Sequence, residues 1–189
     1  MPQNSLPPPL TAPEQLNATL SAQGFAVLSA ASVCALAGVA AQDLQALESS
    51  WHDLPPDQYL KDGGRYRRRR HASFEVTADA VEAVPHRAHW QPLSYNALHG
   101  GMQRWFDPMA PEVVQQPAWQ ALLQWLARVA SAAQGQQTWY TEAHQFRIDT
   151  TDGIGRPTPE GAHRDGVNWV AVFLIGRHGL KGGETRVFD

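Results

Sequence analysis

Apolar positions along the chain follow different periods, and the period changes at prolines and glycines. Thr11-Ala12-Pro13-Glu14 has the form of a capping box with proline in the first turn, so a short helix is expected to about Ala22. Gly24 then stops it. No charged residue occurs from Asn17 to Gln42. That stretch is rich in Ala, Ser and Gly rather than Leu and Ile, and Gly24 and Gly38 interrupt it, which argues against a membrane span. A buried strand over residues 25–28 and a helix over 32–51 are predicted instead. Residues 53–64 read as a loop around Pro55-Pro56 and Gly63-Gly64. Residues 65–76 then read as a strand, with Arg67 and Arg69 on one face and Arg68 and Arg70 on the other. At most one of those faces can line a pocket, and the expectation is that the arginines are paired to acids or solvated.

Pro85, Pro92, Gly100-Gly101 and Pro108 make residues 79–110 irregular, and His86, His89 and His99 within it read as polar loop surface. Pro117 opens the clearest helix: Trp119, Leu122, Leu123, Leu126, Val129 and Ala130 recur at helical spacing and predict packing against a sheet. After Gly135 the period becomes two. Residues 138–150 form a predicted strand with Tyr140, Glu142, His144, Phe146 and Ile148 on one face. That face carries the large apolar groups and is expected to meet the core or the helices, with His144 a packed core histidine. The other face presents Gln145 and Arg147; it is either solvated or the inner wall of a barrel, where Arg147 could hold a carboxylate. Residues 167–175 are near-continuously apolar, as in a strand buried on both sides. After a glycine-rich turn, residues 184–188 begin a returning antiparallel strand.

Candidate chemistry concentrates where the turn residues Pro157, Pro159 and Gly161 give way to that apolar run. His163 and Asp165 sit two residues apart, and in extended chain they project from the same face. An imidazole nitrogen and a carboxylate oxygen can therefore meet at one point. They are two of the three donors in the two-His-one-carboxylate set that holds non-haem Fe(II).

Composition narrows the picture. At 189 residues and 43% apolar, one domain over residues 11–189 with a substantial core is expected, preceded by a disordered proline-rich tail over 1–10. The tail lacks the basic segment of a secretory signal. A net charge of -3 gives no reason to expect nucleic acid as a partner. The single cysteine excludes an internal disulfide and fits a reducing cytoplasm. Thirteen arginines against two lysines favour bidentate carboxylate contacts, although the same bias arises from genome composition.

The C-terminal fifty residues resemble a bacterial family of Fe(II)/2-oxoglutarate dioxygenases that includes hydroxylases of free aliphatic amino acids such as isoleucine and leucine. The matching residues are His144-Gln145-Phe146-Arg147-Ile148, then Pro159-Glu160-Gly161-Ala162-His163-Arg164-Asp165-Gly166, then Gly182-Gly183-Glu184-Thr185. The resemblance implies an α+β fold: a double-stranded β-helix (jelly-roll) core with helices packed on one side. It implies His163 and Asp165 as iron ligands, with 2-oxoglutarate and O2 as cosubstrates. The substrate it implies is a small free L-amino acid, hydroxylated or oxidised at sulfur. Gln145, Arg147, Asn168 and Trp169 are the candidate substrate or cosubstrate contacts.

The family's third ligand is a histidine several strands beyond the His-x-Asp pair, followed by a partner for the distal carboxylate of 2-oxoglutarate. His178 does not fit that role, because a nine-residue strand of roughly 30 Å separates it from the pair. Strands near Thr138, Val167 and Glu184 make about half a jelly roll with an open edge. The expectation is that these residues are the N-terminal portion of a longer protein, and that alone they bind iron poorly and turn nothing over. Two other readings stay open: a cupin-type metal enzyme that is not an oxygenase, and a binding module whose arginine tract meets an anionic partner.

Overall fold

The computed structural model describes residues 9–61, 63–95, 100–150, 153–157, 161, 163–183 and 185–187. All but the last two residues of the proline-rich tail therefore lie outside the described residues. The elements in chain order are α1 (Leu16–Gln23), α2 (Ala30–Ala37), α3 (Ala41–Ala46), β1 (Arg67–Val76), β2 (Val81–Ala83), α4 (Pro111–Val114), α5 (Pro117–Gln134) and β3 (Trp139–Ile148). Short 3-10 turns at Pro13–Gln15 and Glu48–Trp51 flank the first helices.

The strands form one antiparallel sheet in the order β2-β1-β3. β1 is its organiser. Its full length pairs with β3, Arg67 opposite Ile148 through Val76 opposite Trp139. The other edge of β1 is shared. β2 takes its end, His71 exchanges backbone bonds with residues 107–109, and Arg69 N donates to the Pro55 carbonyl at 3.0 Å. Helices cover one face only. Phe74, Val76 and Ala143 from the sheet meet Leu47, Met109, Val113, Leu123 and Ala127, giving the main core. α5 carries Leu122 and Trp125 on an adjoining stripe against Leu16 and Ala37. Each fully buried Leu or Phe in these clusters contributes about 1.5–3 kcal/mol.

α5 and β3 form where period 3.6 and period 2 predict them. Five other expectations change. The first turn begins at Pro13 behind Ala12 with no side-chain cap, because Thr11 lies buried and its own N–H is bonded to the Val27 carbonyl at 2.7 Å. Among the described residues that single bond is the only ladder-like contact of residues 25–28, and no strand is formed there. The helix expected over 32–51 is three pieces. Ser29 caps α2, accepting from Ser32 N at 3.0 Å, and Gly38 ends it with φ 69, a conformation glycine adopts without a Cβ penalty. No single described helix is long and apolar enough to cross a membrane.

The fourth change concerns β3. The face expected to meet the helices, with Glu142, His144 and Phe146, points away from them, while Ala143 and Gln145 are buried on the helix side. The fifth concerns residues 167–175, which carry no ladder. Val170, Val172 and Leu174 stand exposed. A strand buried on both sides needs neighbouring strands, and none of the described residues supplies them. Of the expected return strand, Glu184 and Phe188 fall outside the described residues, and residues 185–187 carry no ladder.

Candidate functional site

On the helix-free face of the sheet, alternation in β1 and β3 aligns polar side chains. Arg67, Arg69, His71 and Ser73 from β1 stand opposite Ile148, Phe146, His144 and Glu142 from β3. The segment between β2 and α4 folds over this face. It is held by paired backbone bonds between His89 and Arg104, and it brings His89, Arg104 and Phe106 inward. The result is a buried polar layer instead of a second apolar core.

Two arginines of the tract are fixed by one carboxylate. Arg67 Nε donates to Asp57 Oδ2 at 2.8 Å, and Arg69 Nη1 lies 3.8 Å from the same oxygen. Asp57 has a side-chain exposure of 0%, so this is a buried ion pair. Arg67 Nη1 also donates to the Pro157 carbonyl at 3.0 Å, tying the loop before His163 to β1. The Arg69 guanidinium lies 3.7 Å from the Phe106 ring centre and 4.4 Å from that of Phe146. Burial, opposed by Asp57, lowers Arg69 to about 9, which leaves it a cation at neutral pH. Arg68 and Arg70, on the helix side, donate to the carbonyls of Leu54 and Pro108.

Beyond Arg69 lie His71, His89, Glu142 and His144, whose donor atoms all fall within 4.8 Å of one another. His89 Nδ1–H donates to Glu142 Oε2 at 2.7 Å. His71 Nε2 is 3.7 Å from Glu142 Oε1, too long for a hydrogen bond. Arg69 Nη2 donates to His144 Nδ1 at 2.7 Å; a guanidinium only donates, so His144 carries its proton on Nε2. The His71 and His144 rings stack at 4.8 Å. Burial raises the Glu142 carboxyl, but His71 and His89 more than reverse this and hold it at about 2. Burial lowers His89 despite its bond to Glu142, and lowers His144 well below the ordinary imidazole value.

These shifts fix the sign of the acid response. The unfolded chain protonates the two histidines first, so a cost appears as pH falls through about 6.5. The Glu142 contribution is complete above 4.5 and is lost as pH falls toward 2. Urea midpoints of the metal-free protein are expected to drop in two stages between pH 7.5 and 3. His144→Gln, which keeps an acceptor for Arg69, is expected to shrink the upper stage; an unchanged profile counts against the buried neutral imidazole.

The His-x-Asp pair forms a second donor group. His163 Nε2 lies 3.3 Å from Asp165 Oδ1, with side-chain exposures of 22% and 41%. His163 Nδ1–H donates to the Gly161 carbonyl at 3.0 Å, which turns Nε2 toward the aspartate. Gly166 makes the turn that follows with φ 72, and a Cβ there would lie 2.6 Å from the Tyr95 ring. An imidazole and a carboxylate presented side by side suit a borderline divalent ion such as Fe(II).

The other expected contacts are dispersed. Gln145 is fully buried and donates to Ser50 Oγ at 2.7 Å, and Arg147 Nη1 donates to the His52 carbonyl at 3.1 Å. Asn168 is exposed and Trp169 half-buried. His99 lies outside the described residues. His89, expected as loop surface, is buried in the polar layer because residues 84–95 and 100–109 fold over the sheet. His71 and Glu142 drew no functional reading from the sequence. Pairing the arginine strand with β3 in antiparallel register is the step that brings them together.

The chain was compared with known proteins. A family profile described as 2OG-Fe dioxygenase matches residues 48–189. The crystal structure of a bsmA homolog from Methylobium petroleophilum PM1 is 48% identical and superposes with a TM-score of 0.77, covering 85% of this chain and 65% of that one. The crystal structure of IDO from Bacillus thuringiensis is 13% identical with a TM-score of 0.53, covering 72% of this chain and 57% of that one, and speaks to the fold alone. No curated protein matches. The chain thus spans just under two thirds of the length of the bsmA homolog.

Proposed function

The chain belongs to the 2OG-Fe dioxygenase family, and on that footing we propose that the protein oxidises a small free L-amino acid, by hydroxylation or at sulfur, in the bacterial cytoplasm. The reading uses Fe(II), 2-oxoglutarate and O2 on a jelly-roll core with helices packed on one side. The observation that carries it is the 3.3 Å approach of His163 Nε2 to Asp165 Oδ1. When bound, Fe(II) supplies the O2-activating redox chemistry with 2-oxoglutarate as cosubstrate. His163, its ring fixed through Gly161, and Asp165 are the ligands this stretch offers. Arg67 positions the approach to them through Pro157.

A substrate bearing a carboxylate is supported by the polar layer, where the cations Arg69 and Arg104 lie buried on the helix-free face. Asn168 and Trp169, next to the metal pair, are proposed as substrate contacts.

The test is succinate formation by the full-length protein with Fe(II), 2-oxoglutarate and each free amino acid in turn. One or a few small amino acids are expected to raise succinate well above the uncoupled rate. Turnover of 2-oxoglutarate that no amino acid stimulates overturns the substrate class. No turnover under any condition overturns the oxygenase.

A further inference from the structure

We propose that His71, His89 and Glu142 form a second site, separate from His163 and Asp165, for a divalent transition ion of the zinc class. Two imidazoles and a carboxylate are the donors such ions select, and tetrahedral or facial sites need only three from the protein. Bonds of about 2.0–2.2 Å to a shared ion put neighbouring donors roughly 3–3.5 Å apart. The separations here bracket that range: 2.7 Å from His89 Nδ1 to Glu142 Oε2, and 3.7 Å from Glu142 Oε1 to His71 Nε2. The ion takes the place of the proton between His89 and Glu142, which moves to His89 Nε2. His71, whose donor lies within 4.8 Å of the others, moves in to complete the set.

An independent observation points to a missing partner. His71 is 1% exposed, and neither of its ring nitrogens has a hydrogen-bond partner. Leaving a buried polar group unsatisfied costs about 1–3 kcal/mol. An ion on Nε2 removes that cost at one nitrogen. His144 stays outside the ligand set, because its Nδ1 accepts from Arg69 and its Nε2 therefore bears hydrogen. Its ring, stacked on His71, holds that ligand in place. Arg69 and Arg104 oppose any cation, and Asp57 offsets the first of them. Their charge disfavours Mg2+ and Ca2+, which rely on electrostatics and oxygen donors, and leaves ions that bond strongly to nitrogen. The ion would join β1, β3 and the segment that covers them, so its role is a clamp.

Co2+ is the probe, added to the full chain carrying His163→Ala and Asp165→Ala. One Co2+ per chain is expected to remain bound, with visible d–d absorption and a raised melting temperature. Adding Glu142→Gln, or separately His89→Gln, is expected to weaken binding at least about 100-fold, since even outer-shell changes cost 10–100-fold. Far-UV circular dichroism identifies any variant that has unfolded, and the other variant then decides. Absence of Co2+ from the His163→Ala, Asp165→Ala protein overturns the proposal and leaves the iron pair untouched. Binding that survives both Glu142→Gln and His89→Gln overturns it as well. If the unsubstituted chain takes one Co2+ that resists loss of His163 and Asp165 but not of Glu142, this site stands and the iron pair falls.

Discussion

Asp57→Asn is expected to destabilise the protein by about 3–5 kcal/mol, the cost of removing one partner from a buried ion pair. The substitution conserves volume and still accepts the Tyr59 N–H, which now bonds Asp57 Oδ1 at 2.9 Å. What it removes is the charge facing two guanidinium groups, both about as buried as Asp57 itself. No other carboxylate is paired with Arg67 among the described residues. In a domain of this size the loss corresponds to a fall in melting temperature of roughly 10 °C. The effect should spread to the site, because Arg67 also holds the Pro157 carbonyl. Arg69→Met in the Asp57→Asn background is expected to recover part of the loss, since it removes one of the two stranded cations. Urea unfolding of the three proteins is the measurement. A change below about 1 kcal/mol for Asp57→Asn would mean that water reaches the pair and screens it.

The same arginines show where sequence reasoning works and where it stops. α5 was legible because its apolar residues repeat at 3.6 and its opposite side is polar; the period carries the element and its buried face together. β3 was legible as a strand for the same kind of reason. Its faces were not. Tyr140 and Phe146 look like core residues, yet they remain 48% and 42% exposed while Gln145 is fully buried. The buried face is chosen by what packs on it, and the helix layer accepts small Ala143 and the Gln145–Ser50 bond. Residues 67–70 are all arginine, so alternation marks neither side as inner.

The N-terminal helices were blurred for a different reason: Ala, Ser and Gly are spread too evenly to define a stripe. The polar layer is the hardest part. Glu142 and His144 share one face of β3, but no spacing along the chain relates them to His71 or His89. The His-x-Asp pair needs no tertiary information at all. It was legible because two residues of extended chain are enough to aim both donors.

In the full-length protein, His163→Ala and Asp165→Ala are each expected to reduce succinate formation to the no-enzyme background, a loss of at least about 10²-fold. Residues that only orient metal ligands already cost 10–100-fold when removed, and these two are proposed as the donors themselves. Their geometry supports a common ion. With bonds of about 2.1 Å, donors 3.3 Å apart subtend roughly 100° at the metal, near the right angle that a facial pair requires. Asp165→Glu tests position apart from charge. It keeps the carboxylate but carries it about one bond further along the turn, so Fe(II) affinity should fall even though net charge does not. His163→Gln tests the imidazole: it retains a polar side chain near Gly161 but not a nitrogen donor directed at Asp165. Fe(II) dissociation constants and coupled turnover, measured together, separate loss of metal from loss of chemistry. Coupled turnover at the unsubstituted rate in either alanine variant, with iron supplied at the same concentration, would remove this pair from the active site.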